Sequence, residues 1–210
     1  GISAARIKNR IKTFIQYFYD FNDVINELVK LIISFTPVAV FCILAKTFST
    51  QGIETIMPLA GYFFTVVFVL LFHFVFTFSI LIKLFTVLNP VKFFQNLKDV
   101  VIFTFSTSSS SASIPFTLKA AEEKYGIDKS ISTFTVPLGA TINMDGTAIM
   151  QGCATFFLAS LYGIDLGINE IITIVITATI ASIGTAGIPS AGIIMLTVIF
   201  TQIGIPLEGI

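Results

Sequence analysis

From Ile171 to Leu207 the chain carries no charged side chain over 37 consecutive positions. As one helix that run would be about 55 Å long, against a bilayer hydrocarbon core of about 30 Å. Its middle, Ser182-Ile183-Gly184-Thr185-Ala186-Gly187-Ile188-Pro189, is the least helix-favouring stretch of the sequence. Inside a helix, Gly costs about 1 kcal/mol and Pro about 3 kcal/mol relative to Ala. A segment too long to cross once and broken at its centre reads as two half-length helices forming a re-entrant hairpin. Unwound backbone at membrane depth is tolerated only where it is buried in protein or lines a cavity.

Composition agrees with a membrane setting. Hydrophobic residues make up 55% of the 210 positions and charged residues 11%, with 23 Phe. An ordinary soluble domain carries about 25% charged residues, so the chain reads as an all-α, multi-pass membrane protein. Its formal net charge is zero, which gives no reason to expect nucleic acid as a partner. Cys42 and Cys153 both sit in apolar runs and do not suggest a disulfide framework. The chain opens on Gly1-Ile2-Ser3 with neither Met nor a signal pattern, as expected for a piece of a longer polypeptide.

Apolar runs and charge gaps divide the chain into five parts. Residues 1–52 read as an amphipathic start, Arg6 to Lys30, feeding a span over Leu31 to Ala45 that Pro37 kinks. Residues 53–90 form a long tilted transmembrane helix, since Thr55 to Ile82 is free of formal charge over 28 positions where about 20 suffice to cross. Residues 91–127 form a second re-entrant hairpin, entering from the inside. Its Val100–Leu118 stretch is charge-free but carries Ser106, Ser108, Ser109, Ser110, Ser111 and Ser113, then Pro115. Residues 128–164 form a discontinuous helix, and 165–210 the outer hairpin described first.

The two breaks resemble each other. Ser111-Ala112-Ser113-Ile114-Pro115 and Thr185-Ala186-Gly187-Ile188-Pro189 match in pattern at an offset of 74. Paired interruptions of this kind point to an inverted-repeat transporter with its site at the midplane. Plainer readings exist for each feature: chance recurrence of a short pattern, serines bonding back within a helix, and glycines that only permit close packing.

Asp145 is the only charged residue in the 35 positions from Ser130 to Ile164. A carboxylate so placed costs several kcal/mol unless paired, which makes it a functional-site candidate. Its neighbours Asn143, Gly146 and Thr147 offer uncharged oxygens and a weak point in the helix, and a cation is the partner in keeping with that set. The plain alternative is a structural acid satisfied by a neighbouring helix. His73, in an apolar span with no second titratable group near it in sequence, reads as a passive residue facing lipid or scaffold.

Basic residues give the orientation. Arg6, Lys8, Arg10 and Lys12 precede the first span; Lys83, Lys92 and Lys98 follow the second; Lys119, Lys124 and Lys129 follow the serine hairpin. The positive-inside rule makes these groups cytoplasmic. Two hairpins then enter from opposite faces towards the Asp145 helix, which is an alternating-access layout.

Three runs together, Ser108-Ser109-Ser110-Ser111-Ala112-Ser113-Ile114-Pro115, Pro137 to Thr147 with its Asn-Met-Asp-Gly-Thr, and Ala181 to Pro189, resemble the glutamate transporter family. This is the dicarboxylate/amino acid:cation symporter family, and the resemblance covers essentially the whole chain. It implies a homotrimeric elevator-type carrier. Its scaffold would contain the span ending near Phe48, and its moving domain both hairpins and the Asp145 helix. By position the resemblance assigns Asn143, Asp145 and the Gly139 carbonyl to one sodium site, and Thr141, Ser182, Ile183 and Thr185 to a second. It assigns Ser109, Ser110, Ser111, Thr147, Ile188 and Gly192 to the substrate cradle. Two departures stand out. Some prokaryotic members carry Arg where this chain has Ser108. The counterpart of Asn143–Asp145 would fall near position 217, beyond Ile210, so the last transmembrane helix and the earlier N-terminal spans are expected to lie outside this fragment.

The expected activity is secondary symport of an acidic amino acid, glutamate or aspartate, across a plasma (inner) membrane. Sodium is the expected co-transported ion, with a proton as the alternative. Neutral amino acid or C4-dicarboxylate symport within the family and a serine-lined ion channel are the rival readings. Enzymatic function is not expected, because the one His stands far from the serines and no Gly-x-Ser-x-Gly elbow occurs.

Overall fold

A computed structural model describes residues 12–51 and 56–206, and among them the chain is helix and loop throughout. Arg6, Lys8 and Arg10 of the orientation argument, Gly52 at the end of the first part, Thr55 and Leu207 lie outside the described residues. The chain divides into two compact units, Gly1–Met57 and Pro58–Ile210.

The first unit holds α1 (Lys12–Ser34) and α2 (Thr36–Gln51). The expectation of one helix kinked at Pro37 is corrected here, because the helix stops at Phe35 and restarts. Pro37 sits in the first turn of α2, where its missing N–H has no intrahelical partner to lose. The Phe35 carbonyl accepts from the Val38 and Ala39 amides at 3.1 and 3.0 Å and so starts the new helix.

The second unit begins within α3 (Ile56–Phe72), which passes through a π-helical turn, His73–Thr77, into α4 (Phe78–Phe85). The continuous stretch Met57–Phe85, 29 residues, is the one helix among the described residues long and apolar enough to cross a membrane. Phe63, Phe64 and Phe68 on it are more than half exposed, a surface suited to hydrocarbon.

Next comes α5 (Pro90–Thr107), started by Asn89 and Pro90. The Asn89 side chain accepts from the Val91 amide at 2.9 Å, and Pro at the first helical position is preset for the turn. After Ser108 and Ser109 the chain reverses into α6 (Ser110–Tyr125). Phe103 stacks on Phe116 with ring centroids 3.8 Å apart. Lower down, Lys124 Nζ reaches Asp99 Oδ2 at 2.7 Å and the Tyr125 hydroxyl donates to the Phe93 carbonyl at 2.7 Å. These pairings make α5 and α6 an antiparallel hairpin. The hydrogen bond from Lys124, and then its charge, hold the exposed Asp99 carboxyl below the usual carboxylate range.

Helix α7 (Lys129–Ile142) is capped by Asp128, which accepts from the Ser130 amide at 2.7 Å. Fully buried Ser132 fixes it to α6 by donating to Glu122 Oε1 at 2.8 Å. The helix breaks at Asn143–Met144 and resumes as α8 (Asp145–Leu161). Two further helices, α9 (Ile168–Ile183) and α10 (Ala191–Ile203), pair on either side of the Gly184–Ser190 break. The core lies among α8, α9 and α10, where Ala154, Ala159 and Ala178 let the backbones approach around Leu158, Leu196, Ile199 and Phe200.

Phe200 is fully buried while Phe64 is 68% exposed. Phe200→Ala should therefore cost about 3 kcal/mol or more through lost burial and a cavity. Phe64→Ala should leave stability nearly unchanged; thermal unfolding of detergent-solubilised full-length protein checks both.

Candidate functional site

The two hairpin tips meet at one carbonyl. Gly187 O accepts from the Ser109 hydroxyl at 2.8 Å and from the Ser111 amide at 3.0 Å. The same Ser109 oxygen accepts from the Ala112 amide at 3.2 Å, so it caps α6 and ties the tips together with one side chain. Gly187 is buried, and a Cβ there would lie 2.7 Å from Ser111 Oγ and 3.2 Å from both Ala140 O and Ser111 N. A side chain at 187 would force the Ser111 hydroxyl and the two backbone neighbours to shift. Each tip also turns on a serine in the left-handed region, Ser108 with φ 47° and Ser190 with φ 64°, a conformation costing roughly 1–2 kcal/mol for a residue with a Cβ.

Beneath the junction is a cavity of about 320 Å³ lined by Ser110 from one tip, Ile188 from the other, Thr147 of α8 and Gly192 of α10, with Met144 and Met150 beside them. Of the six residues expected to cradle a substrate, these four come together; Ser109 and Ser111 instead hold the junction. The helices α6, α8 and α10 begin at Ser110, Asp145 and Ala191, in or next to this lining. The positive end of each helix dipole favours an anionic group there, although the first amides of α6 are bonded to Gly187 O and Ser109 Oγ and α8 carries the Asp145 carboxylate in its own first turn.

A second cavity, about 350 Å³, holds Gly139 and Asn143 among the hydroxyls of Thr104, Ser113, Thr117 and Thr135, and shares Ser110 with the first. Here α7 ends at Ile142, and the negative end of a helix with hydroxyl, amide and carbonyl oxygens suits a hard cation. Gly139 O accepts the Asn143 amide at 2.9 Å, which leaves the carbonyl a second lone pair.

The other expected ion residues lie apart. Asp145 lines neither cavity; its half-exposed carboxylate has Oδ2 at 3.3 Å from His73 Nε2. The reading of His73 as a passive residue with no titratable neighbour is therefore corrected, because the fold brings together two residues 72 positions apart. Thr141 is exposed and donates to Leu138 O at 2.9 Å. Ser182 and Thr185 are buried, with hydroxyls donating to Thr179 O at 2.8 Å and Ala181 O at 2.7 Å. Thr185 also lines the first cavity, while the Ile183 side chain is exposed. Among the described residues no group of three or more His, Cys, Asp and Glu gathers as a metal cluster. An ion here would rest on hydroxyl, amide and carbonyl oxygens. A larger cavity of about 670 Å³ between α3 and α8, lined by Tyr62, Phe156 and Phe157, offers no charge to an ion or an amino acid.

Sequence reading passed over Gln151. It is fully buried, its Nε2 donates to Gly192 O at 3.0 Å, and its Oε1 has no partner. Thr147, Gln151 and Thr155 recur every four residues along an otherwise apolar helix, the spacing of one helix face. That polar stripe was the available signal. Gly192 completes the contact, since a Cβ there would meet Thr147 Cγ2 at 2.7 Å.

Two helical hairpins whose tips meet beside a broken helix and two cavities, in a highly apolar chain, fit an all-helical membrane-protein class with broken helices at its centre. The chain belongs to the sodium:dicarboxylate symporter family, whose model matches residues 1–210. It is 40% identical to excitatory amino acid transporter 1 of Rattus norvegicus, the match covering 100% of this chain and 39% of that protein. It is also 34% identical to an excitatory amino acid transporter of Caenorhabditis elegans, over 100% of this chain and 42% of the relative. Excitatory amino acid transporter 2 of Homo sapiens is 34% identical over 100% of this chain and 37% of its own length. The chain thus spans about two fifths of the length of the curated relatives it matches.

The tip geometry separates two glycines three positions apart. Gly187→Ala should push the tips apart and destabilise the folded protein by about 1–3 kcal/mol. Gly184→Ala, whose Cβ would meet nothing nearer than 3.7 Å, should cost under about 1 kcal/mol. The shift in unfolding midpoint of the two purified variants decides this.

Proposed function

We propose that this chain forms the ion- and substrate-binding part of a secondary symporter that couples uptake of an acidic amino acid to a sodium gradient. The observation that carries the reading is the cavity between the tips, lined by Ser110, Thr147 and Gly192 from the first turns of α6, α8 and α10. Such a site favours carboxylate, and the relatives described above are excitatory amino acid transporters. Glutamate or aspartate is the substrate that fits both.

In this reading Ser110, Thr147, Ile188 and Gly192 contact the substrate, and Ser109 and Ser111 keep the tips closed over it. The sodium ligands in this reading are Gly139, Asn143 and Asp145, of which Asp145 lies outside the cavity that holds the other two, and Thr141, Ser182, Ile183 and Thr185. The hairpins are re-entrant, one from each membrane face, and carry the site across a plasma membrane in an elevator motion against a scaffold containing residues 1–52. The working unit is a homotrimer. Opening the Gly187 junction releases two hydrogen bonds, each worth about 1 kcal/mol net. A bound substrate that bridges the tips shifts that equilibrium only by its preference for the closed form.

Uptake of radiolabelled aspartate and glutamate by a full-length chain in liposomes tests the proposal. Saturable uptake that requires an inward sodium gradient is expected. Flux that does not saturate, or that follows a proton gradient equally well without sodium, contradicts it. Asp145→Asn should abolish coupled uptake while expression stays near wild-type.

A further inference from the structure

The contact between His73 and Asp145 is not accounted for by either cavity. His73 opens the π-helical turn His73–Thr77, and the amide after that turn, on Phe78, bonds to the carbonyls of both His73 and Val75. π-turns inside α-helices recur at functional sites because one extra residue re-aims the side chains around them. Here the imidazole lies edge-on to Phe78, with centroids 5.3 Å apart and planes at 68°, and its Nε2 lies 3.3 Å from Asp145 Oδ2. The approach of the two helices is close at this level. A Cβ on Gly146 would lie 3.7 Å from Leu70 Cδ2, and Leu70 stands one helical turn before His73. An ionised carboxylate can only accept, so Nε2 carries the proton in this contact.

We propose that His73 is a positioning residue for Asp145. Its Nε2–H fixes the carboxylate in one rotamer through Oδ2 and leaves Oδ1 available to a monovalent cation. The π-turn and the ring of Phe78 hold the imidazole in that pose. Partners of this kind orient an ion ligand without touching the ion, and their loss commonly costs about tenfold or more in affinity. The inference rests on the proposed reading of Asp145 as a sodium ligand.

The test is the sodium concentration giving half-maximal thermal stabilisation of purified, substrate-free full-length protein, with choline replacing sodium at constant ionic strength. His73→Phe keeps the ring and removes the donor, and should raise that concentration about tenfold. His73→Gln keeps an N–H donor near the Nε2 position and should stay within about threefold of wild type. Asp145→Asn should lose the sodium-specific part of the stabilisation. If His73→Phe stays within about twofold of wild type while Asp145→Asn loses the effect, the positioning role is overturned and the ion reading stands. It is also overturned if His73→Gln shifts as far as His73→Phe, since ring packing would then be what matters. Wild-type behaviour of Asp145→Asn overturns the ion reading itself. Should His73→Phe not yield folded protein, His73→Met takes its place with the same two readings.

Discussion

The Gly187 carbonyl is the point on which the two hairpins depend. Both tips consist of unwound backbone, and unwound backbone in an apolar setting must find partners inside the protein. Ser109 and Ser111 supply them across the gap. The junction is crowded around Gly187 and is flanked by two left-handed serines at 108 and 190. Strain of that kind persists where surrounding structure over-determines it, and it clusters at clamps and switches.

Electrostatics divides the labour below the junction. Helix starts at Ser110, Asp145 and Ala191 lie in or next to the lining of one cavity, while the end of α7 at Ile142 and a set of hydroxyls border the other. Positive and negative helix ends thus sit side by side, with Ser110 shared between the cavities. An anion and a cation held in adjacent pockets stabilise each other, which is a direct physical route to coupled binding.

Much of this was legible in the sequence, for reasons that differ by residue. The breaks at Ser108–Ser109, Asn143–Met144 and Gly184–Ser190 could be read because small, polar and Gly/Pro residues interrupt long apolar runs. Thr147 and Ile188 reach one cavity because they lie beside those breaks. Other features depend on three-dimensional register. His73 meets Asp145 across 72 positions at the start of a π-helical turn, and no local pattern around His73 announces that turn. Pro37 marked an interruption, but whether the chain kinks or restarts was decided by hydrogen bonding at Phe35. Gln151 was visible as part of a polar stripe, yet its bond to Gly192 required knowing which helix faces α8.

The central claim is that acidic amino acid and sodium bind as one thermodynamic unit in these adjoining cavities. The most direct measurement is calorimetric titration of aspartate into purified full-length protein at rising sodium concentration. The account predicts that the dissociation constant falls by about tenfold or more for each tenfold rise in sodium. A dissociation constant that stays the same with sodium replaced by choline would contradict it.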